Sequence, residues 1–275
     1  MRNVLVLVVP AVLALAGTAT SGTSPRPVYQ PPQSYYLALG DSMAYGVQPD
    51  KAKPGARPSD FDTGYVDIFA AGLRKLSSTL QVVNYGCPGE STITFARGRC
   101  PTLAEGWKLH NLFRGSQLEA ALSFLRAHPG QVSPITLTLW GNDLAPLSQK
   151  GKRAPIAIAS FATRFGSILQ RLRTAAPTAE IIVSGAWNPE ADRLQQTEPL
   201  YRSLDAAIAR AAAASRARVA NVFAAFNRPA NLVAQKARLC AITFFCSQGD
   251  PHPTDAGYRA MADAFMTASG YPSRS

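Results

Sequence analysis

Two short segments, far apart in the chain, hold the residue types that nucleophilic catalysis requires. Gly40-Asp41-Ser42 ends an apolar run, and Asp250-Pro251-His252-Pro253 stands before the last helical pattern. A hydroxyl is a poor nucleophile at neutral pH until a base takes its proton. A serine alone therefore says little, whereas a serine with a histidine in reach points to a hydrolase. Two further segments could complete such a site. Asn84-Tyr85-Gly86-Cys87-Pro88-Gly89-Glu90 offers an unobstructed glycine N–H, and Trp140-Gly141-Asn142-Asp143 offers a side-chain amide. Each segment alone reads as a turn, because Gly, Asn and Asp tolerate unusual backbone angles. The bland reading weakens when all four fall in order, each at the boundary of an expected element.

Those elements alternate. Strands are expected at Tyr35–Leu39, Gln81–Tyr85, Ile135–Trp140, Glu180–Ser184 and Arg218–Phe223. Helical spacing of apolar residues marks Tyr65–Leu76, Leu118–Leu125, Ile156–Leu172, Tyr201–Ala214 and Ala256–Ala268. Strand then helix, repeated, predicts an α/β fold: a mainly parallel five-stranded sheet between two helical layers. In such sheets ligands bind beyond the carboxyl ends of the strands. Ser42, Gly89 and Asn142 follow the first three strands, and His252 lies in the loop before the last helix.

The order and wording of the four blocks resemble those of the SGNH hydrolases, also called GDSL esterases and lipases. Gly40-Asp41-Ser42 matches their first block, Gly89 the second, and Gly141-Asn142-Asp143 the third, with Trp140 where many members have glycine. Asp250-Pro251-His252-Pro253 is similar to the fourth. The resemblance covers about residues 35–268 and implies a three-layer, flavodoxin-like α/β/α sandwich. It further implies Ser42 as nucleophile, His252 as base, and an oxyanion hole from the Ser42 and Gly89 N–H groups and the Asn142 amide, with no cofactor and no metal. One departure stands out. The family places two residues between aspartate and histidine, whereas here only Pro251 intervenes. Either Asp250 orients the imidazole or the carbonyl of Gly249 or a neighbour does. The Gly-x-Ser-x-Gly elbow of the other large serine-hydrolase fold is absent.

Composition bounds the setting. The 275 residues are 47% hydrophobic and 16% charged, enough for one large domain. Residues 1–21 read as a signal peptide: Arg2, an apolar run from Val4 to Ala16, then small residues. The rival reading is an uncleaved anchor. Residues 22–33, rich in proline and polar residues, read as a linker, and 34–275 as the catalytic domain. Export suits the four cysteines, best paired locally as Cys87 with Cys100 and Cys240 with Cys246, although three pairings are open. No C-x-x-C occurs, and no histidine is near either pair, which argues against zinc. The formal charge of +11 comes from scattered Lys and Arg. That fits attraction to an anionic surface rather than nucleic-acid binding.

The expected protein is thus a secreted, monomeric serine esterase or lipase acting on a lipid, polyester or acylated polysaccharide. A carbohydrate acetylesterase or phospholipase of the same fold is the alternative, and a binding module that lost the reaction the remaining one. His110 and His128 are weaker base candidates. Phe244 and Phe245 are core residues by default but could line an acyl pocket, and Val47–Phe61 could form a lid.

Overall fold

Five strands form one parallel sheet in the order β2-β1-β3-β4-β5. In the computed structural model, which describes residues 32–228 and 231–271, they are β1 (Tyr35–Gly40), β2 (Gln81–Asn84), β3 (Val132–Thr138), β4 (Ile181–Ser184) and β5 (Arg218–Ala220). The expected signal peptide and most of the expected linker lie outside the described residues. β1 and β3 pair at the centre, in register from Leu37 opposite Ile135 to Gly40 opposite Thr138. Their side chains are almost entirely buried, as strands covered on both faces must be.

Helices cover both faces. On one, α2 (Tyr65–Arg74) packs against α11 (Asp255–Ala268), and Tyr65 stacks on Phe265 with centroids 4.6 Å apart. On the other, α4 (Gln117–Ala127), α6 (Ala154–Ala175) and α7 (Leu194–Ala214) pack in sequence. α6 presents Ile158, Phe161, Phe165, Ile168, Leu169 and Leu172 as one buried stripe at helical spacing. Near its C-terminus, Arg173 donates to the carbonyls of Ala176, Ala179, Ser215 and Arg216, so one guanidinium serves the ends of both α6 and α7. This is the expected three-layer fold, with every strand parallel. Among the described residues, no helix is long and apolar enough to cross a membrane.

Several boundaries differ from expectation, and those of β3 and β5 have a local reason. β3 starts at Val132 because a bulge between Val132 and Ile135 absorbs Pro134, which has no N–H for the ladder. β5 stops at Ala220 rather than Phe223. The Asn221 side chain accepts from the N–H of Ala224 and caps α8 (Val222–Phe226), which removes the last residues from the strand. α7 starts at Leu194 and carries Pro199 inside it, whereas the sequence reading begins at Tyr201, past that proline.

Candidate active site

The sheet's carboxyl edge builds the site from four loops. The first follows β1. Gly40 has φ +130°, and a Cβ there would sit 2.1 Å from the carbonyl oxygen of Thr138. Only glycine lets the chain turn this close to β3. Asp41 then caps α1 (Ser42–Tyr45): its Oδ1 accepts from Met43 N and from Thr138 Oγ1, both at 3.0 Å. Burial pushes the Asp41 carboxyl up to about 6 despite those hydrogen bonds. Ser42 is therefore the first residue of a short helix and is nearly buried, at 9% exposure.

The second loop is stapled by Cys87–Cys100, and Gly89 within it has φ +80°, which favours glycine. Gln117 from α4 fixes this loop to the first. Its amide accepts from Gly40 N at 2.6 Å, donates to Gly40 O at 2.9 Å and donates to Glu90 Oε2 at 3.1 Å. The third loop opens α5 (Gly141–Leu144). Asn142 Nδ2 donates to the carbonyl of Glu90 at 2.9 Å. The neighbouring Asp143 accepts from Thr92 N at 2.7 Å, from Thr92 Oγ1 at 2.5 Å and from Arg164 at 3.0 Å. The second and third loops are thus clamped together at Asn142 and at Asp143.

Glu90 is fully buried, and burial pushes its carboxyl up to about 7. The sign of the pH effect follows. Between about pH 4.5 and pH 7 the folded chain keeps a proton that the unfolded chain has released, so stability falls as pH rises through that window. At about 1.4 kcal/mol per pKa unit, the ceiling is on the order of 3 kcal/mol. Glu90→Gln removes the titrating group. Urea unfolding at pH 4.5 and pH 8 is therefore expected to show a smaller loss in the variant than in the parent chain. Equal losses would mean that Glu90 does not titrate in this window.

The fourth loop carries the histidine. α9 (Leu232–Ile242) is joined to α10 (Phe245–Gln248) by Cys240–Cys246, and Gly249 ends α10 in a left-handed conformation. Beyond it, Asp250 Oδ1 accepts from both the backbone N (2.8 Å) and Nδ1 (2.6 Å) of His252. The partner of the ring is thus the Asp250 carboxyl and not the Gly249 carbonyl. Burial opposes the Asp250 charge, but the hydrogen bonds and charge of His252 outweigh it and hold the carboxyl below its usual range. Pro253 bridges Thr243, and Thr254 caps α11, so the loop is fixed on both sides of the ring.

Ser42, Asn142 and His252 line one cavity of about 310 Å³, together with Asp41, Met43, Ala145, Pro146, Pro189, Glu190 and Phe245. Gly89 is not on that wall but precedes Glu90, whose carbonyl holds Asn142. Phe245 lines the cavity and Phe244 does not, and no residue of 47–61 reaches it. The other histidines are engaged elsewhere. His128 Nδ1 donates to the Phe124 carbonyl at the end of α4. His110 contacts the Tyr45 carbonyl and Asp62, and burial lowers its pKa. Among the described residues, no three His, Cys, Asp or Glu side chains gather as a metal would need.

Among the wall residues that sequence reasoning missed, Glu190 is the charged one. It lies in the loop after β4, where the rule that ligands bind beyond strand ends would have directed attention. It carries no motif of its own.

Solved structures with a similar fold include an acetylxylan esterase from Geobacillus stearothermophilus, 16% identical, matched over 90% of this chain and 99% of that chain with a TM-score of 0.56. A lipase from a goat rumen metagenome is 17% identical over 85% and 96% of the two chains, with a TM-score of 0.55. An alpha/beta hydrolase enzyme from the metagenome of Lake Arreo, Spain, is 18% identical over 88% and 97%, with a TM-score of 0.54. No curated protein sequence matches this one. At such identities these likenesses speak for the fold, and the family rests on sequence. The GDSL-like Lipase/Acylhydrolase family matches residues 38–260, most of the chain and all four loops, so the protein belongs to that family and is a carboxylic ester hydrolase.

Proposed function

We propose that the chain cleaves esters through an acyl-enzyme on Ser42, with His252 as general base and acid and Asp250 as orienter. The observation that carries this reading is the shared cavity: Ser42, Asn142 and His252 line it, and Asp250 holds Nδ1 of His252. A carboxylate at Nδ1 keeps the proton there and leaves the Nε2 lone pair free. Ser42 Oγ then attacks the ester carbonyl as His252 Nε2 takes its proton. The tetrahedral intermediate collapses, and the same proton passes to the leaving alcohol. Water repeats the sequence on the acyl-enzyme.

The developing oxyanion would meet the N–H groups of Ser42 and Gly89 and the amide of Asn142. An amide nitrogen has two hydrogens. The Glu90 carbonyl takes one from Asn142, which fixes the direction of the other. The cavity is near the lower end for small-molecule sites, which suits a short acyl group.

Export is part of the reading, supported by residues 1–21 and by two disulfides, which persist in oxidising compartments. A second reading, carbohydrate acetylesterase, is favoured by the structural likeness to an acetylxylan esterase.

A fluorophosphonate probe tests the mechanism. The folded protein is expected to take up one equivalent, and peptide mapping is expected to find it on Ser42. No labelling of folded protein would leave the catalytic assignment without support and favour a binding module.

A further inference from the structure

Resting on that reading, we propose that Glu190 makes the enzyme selective for esters whose alcohol carries a free hydroxyl near the ester bond. Glu190 is only 7% exposed, yet it lies on the cavity wall among Met43, Ala145, Pro146, Pro189 and Phe245. The other carboxyl on the wall, Asp41, caps α1, with Met43 N and Thr138 Oγ1 both on its Oδ1. Glu190 is likewise occupied on one oxygen only. Its Oε1 accepts from Ser148 N at 3.1 Å and from Tyr201 OH at 2.9 Å, and both donors converge on that one oxygen. Oε2 is left as the acceptor for a ligand.

The position of the carboxyl is built. Its backbone N donates to Asn188 Oδ1 at 3.1 Å. Asn188 is buried, exchanges two backbone–amide hydrogen bonds with Asn227, and donates to Thr197. This much fixation around a carboxyl in an apolar wall has a chemical consequence. Covering an acceptor with a group that cannot donate to it is unfavourable. An unsubstituted acyl chain has no donor, and neither has a simple alkyl alcohol. A sugar or glycerol ester has a hydroxyl close to the ester oxygen. A site built to hydrogen-bond a hydroxyl strongly rejects the analogue that lacks one.

The experiment compares kcat/KM for matched pairs. Glyceryl monoacetate is set against propyl acetate, and a monoacetylated methyl xyloside against cyclohexyl acetate. The parent enzyme is expected to prefer the hydroxylated member at least about tenfold, and the two pairs separate a glycerol source from a sugar source. In Glu190→Leu the preference is expected to fall close to unity. That variant leaves Tyr201 OH and Ser148 N without their acceptor. Where it fails to fold, Glu190→Gln, which keeps an oxygen for both, is expected to lower the ratio severalfold. A ratio is unaffected by the fraction of protein folded, so it separates selectivity from support of the loop. Unchanged ratios in the variants would overturn the proposal, and so would a preference for acetylcholine over glyceryl monoacetate. Labelled Ser42 with unchanged ratios fails this proposal alone. Unlabelled Ser42 fails the catalytic reading beneath it.

Discussion

Ser42→Ala is expected to lower nitrophenyl acetate hydrolysis by about six orders of magnitude while leaving the thermal unfolding midpoint nearly unchanged. Removing the nucleophile of a serine hydrolase costs about that much, because base and orienter have nothing left to activate. The unchanged stability follows from how the loop is held. Asp41 caps α1, Gly40 is bonded to Gln117, and the Ser42 carbonyl accepts from Gly46 and Val47. None of these uses the Ser42 hydroxyl. Alanine is also the better helix former at an early helical position. Loss of activity with an unaltered melt is thus the expected pair of results. Activity above about one per cent of the parent, on protein freed of contaminating esterase, would refute Ser42 as nucleophile.

The position of Ser42 was the part most legible in the chain. An apolar run that ends in Gly-Asp-Ser states both a buried strand and the point where it leaves the sheet. The same logic holds for Asn142 after β3. What one sequence could not carry are contacts that depend on distant segments. Gln117 is an unremarkable residue at the start of a helix, yet it reaches back 77 residues to Gly40 and 27 residues to Glu90 and so links the two. The short strand β5 shows the limit on local reading. Val222 and Phe223 suit a strand as well as Val219 does, and the Asn221 side chain decides against it by satisfying a helix N-terminus. Glu190 was invisible for a different reason: a single glutamate in a loop is ordinarily a solvated charge. Only the convergence of Ser148, Tyr201 and Asn188 on it shows otherwise.

The spacing of the last block is where the sequence left two answers open and the geometry favours one. Asp250→Asn is expected to lower kcat by about 10³- to 10⁴-fold with a stable fold. The Asp250 Oδ1 atom accepts from the backbone N and from Nδ1 of the same histidine, so a single oxygen sets both the loop and the ring. The left-handed Gly249 supplies the turn that brings the carboxyl back over the shortened gap. An asparagine can keep the backbone contact. It cannot stabilise the imidazolium as a carboxylate does, and when its amide nitrogen faces Nδ1 it stabilises the wrong tautomer, with the proton on Nε2. His252 then has no lone pair for the Ser42 proton. Fluorophosphonate labelling of Ser42, which needs the same base, is expected to slow in parallel, whereas a purely structural loss would appear as a lowered melting temperature. A loss of tenfold or less in both rates would mean that a backbone carbonyl near Gly249 orients the ring and that the Asp250 contact is incidental to catalysis.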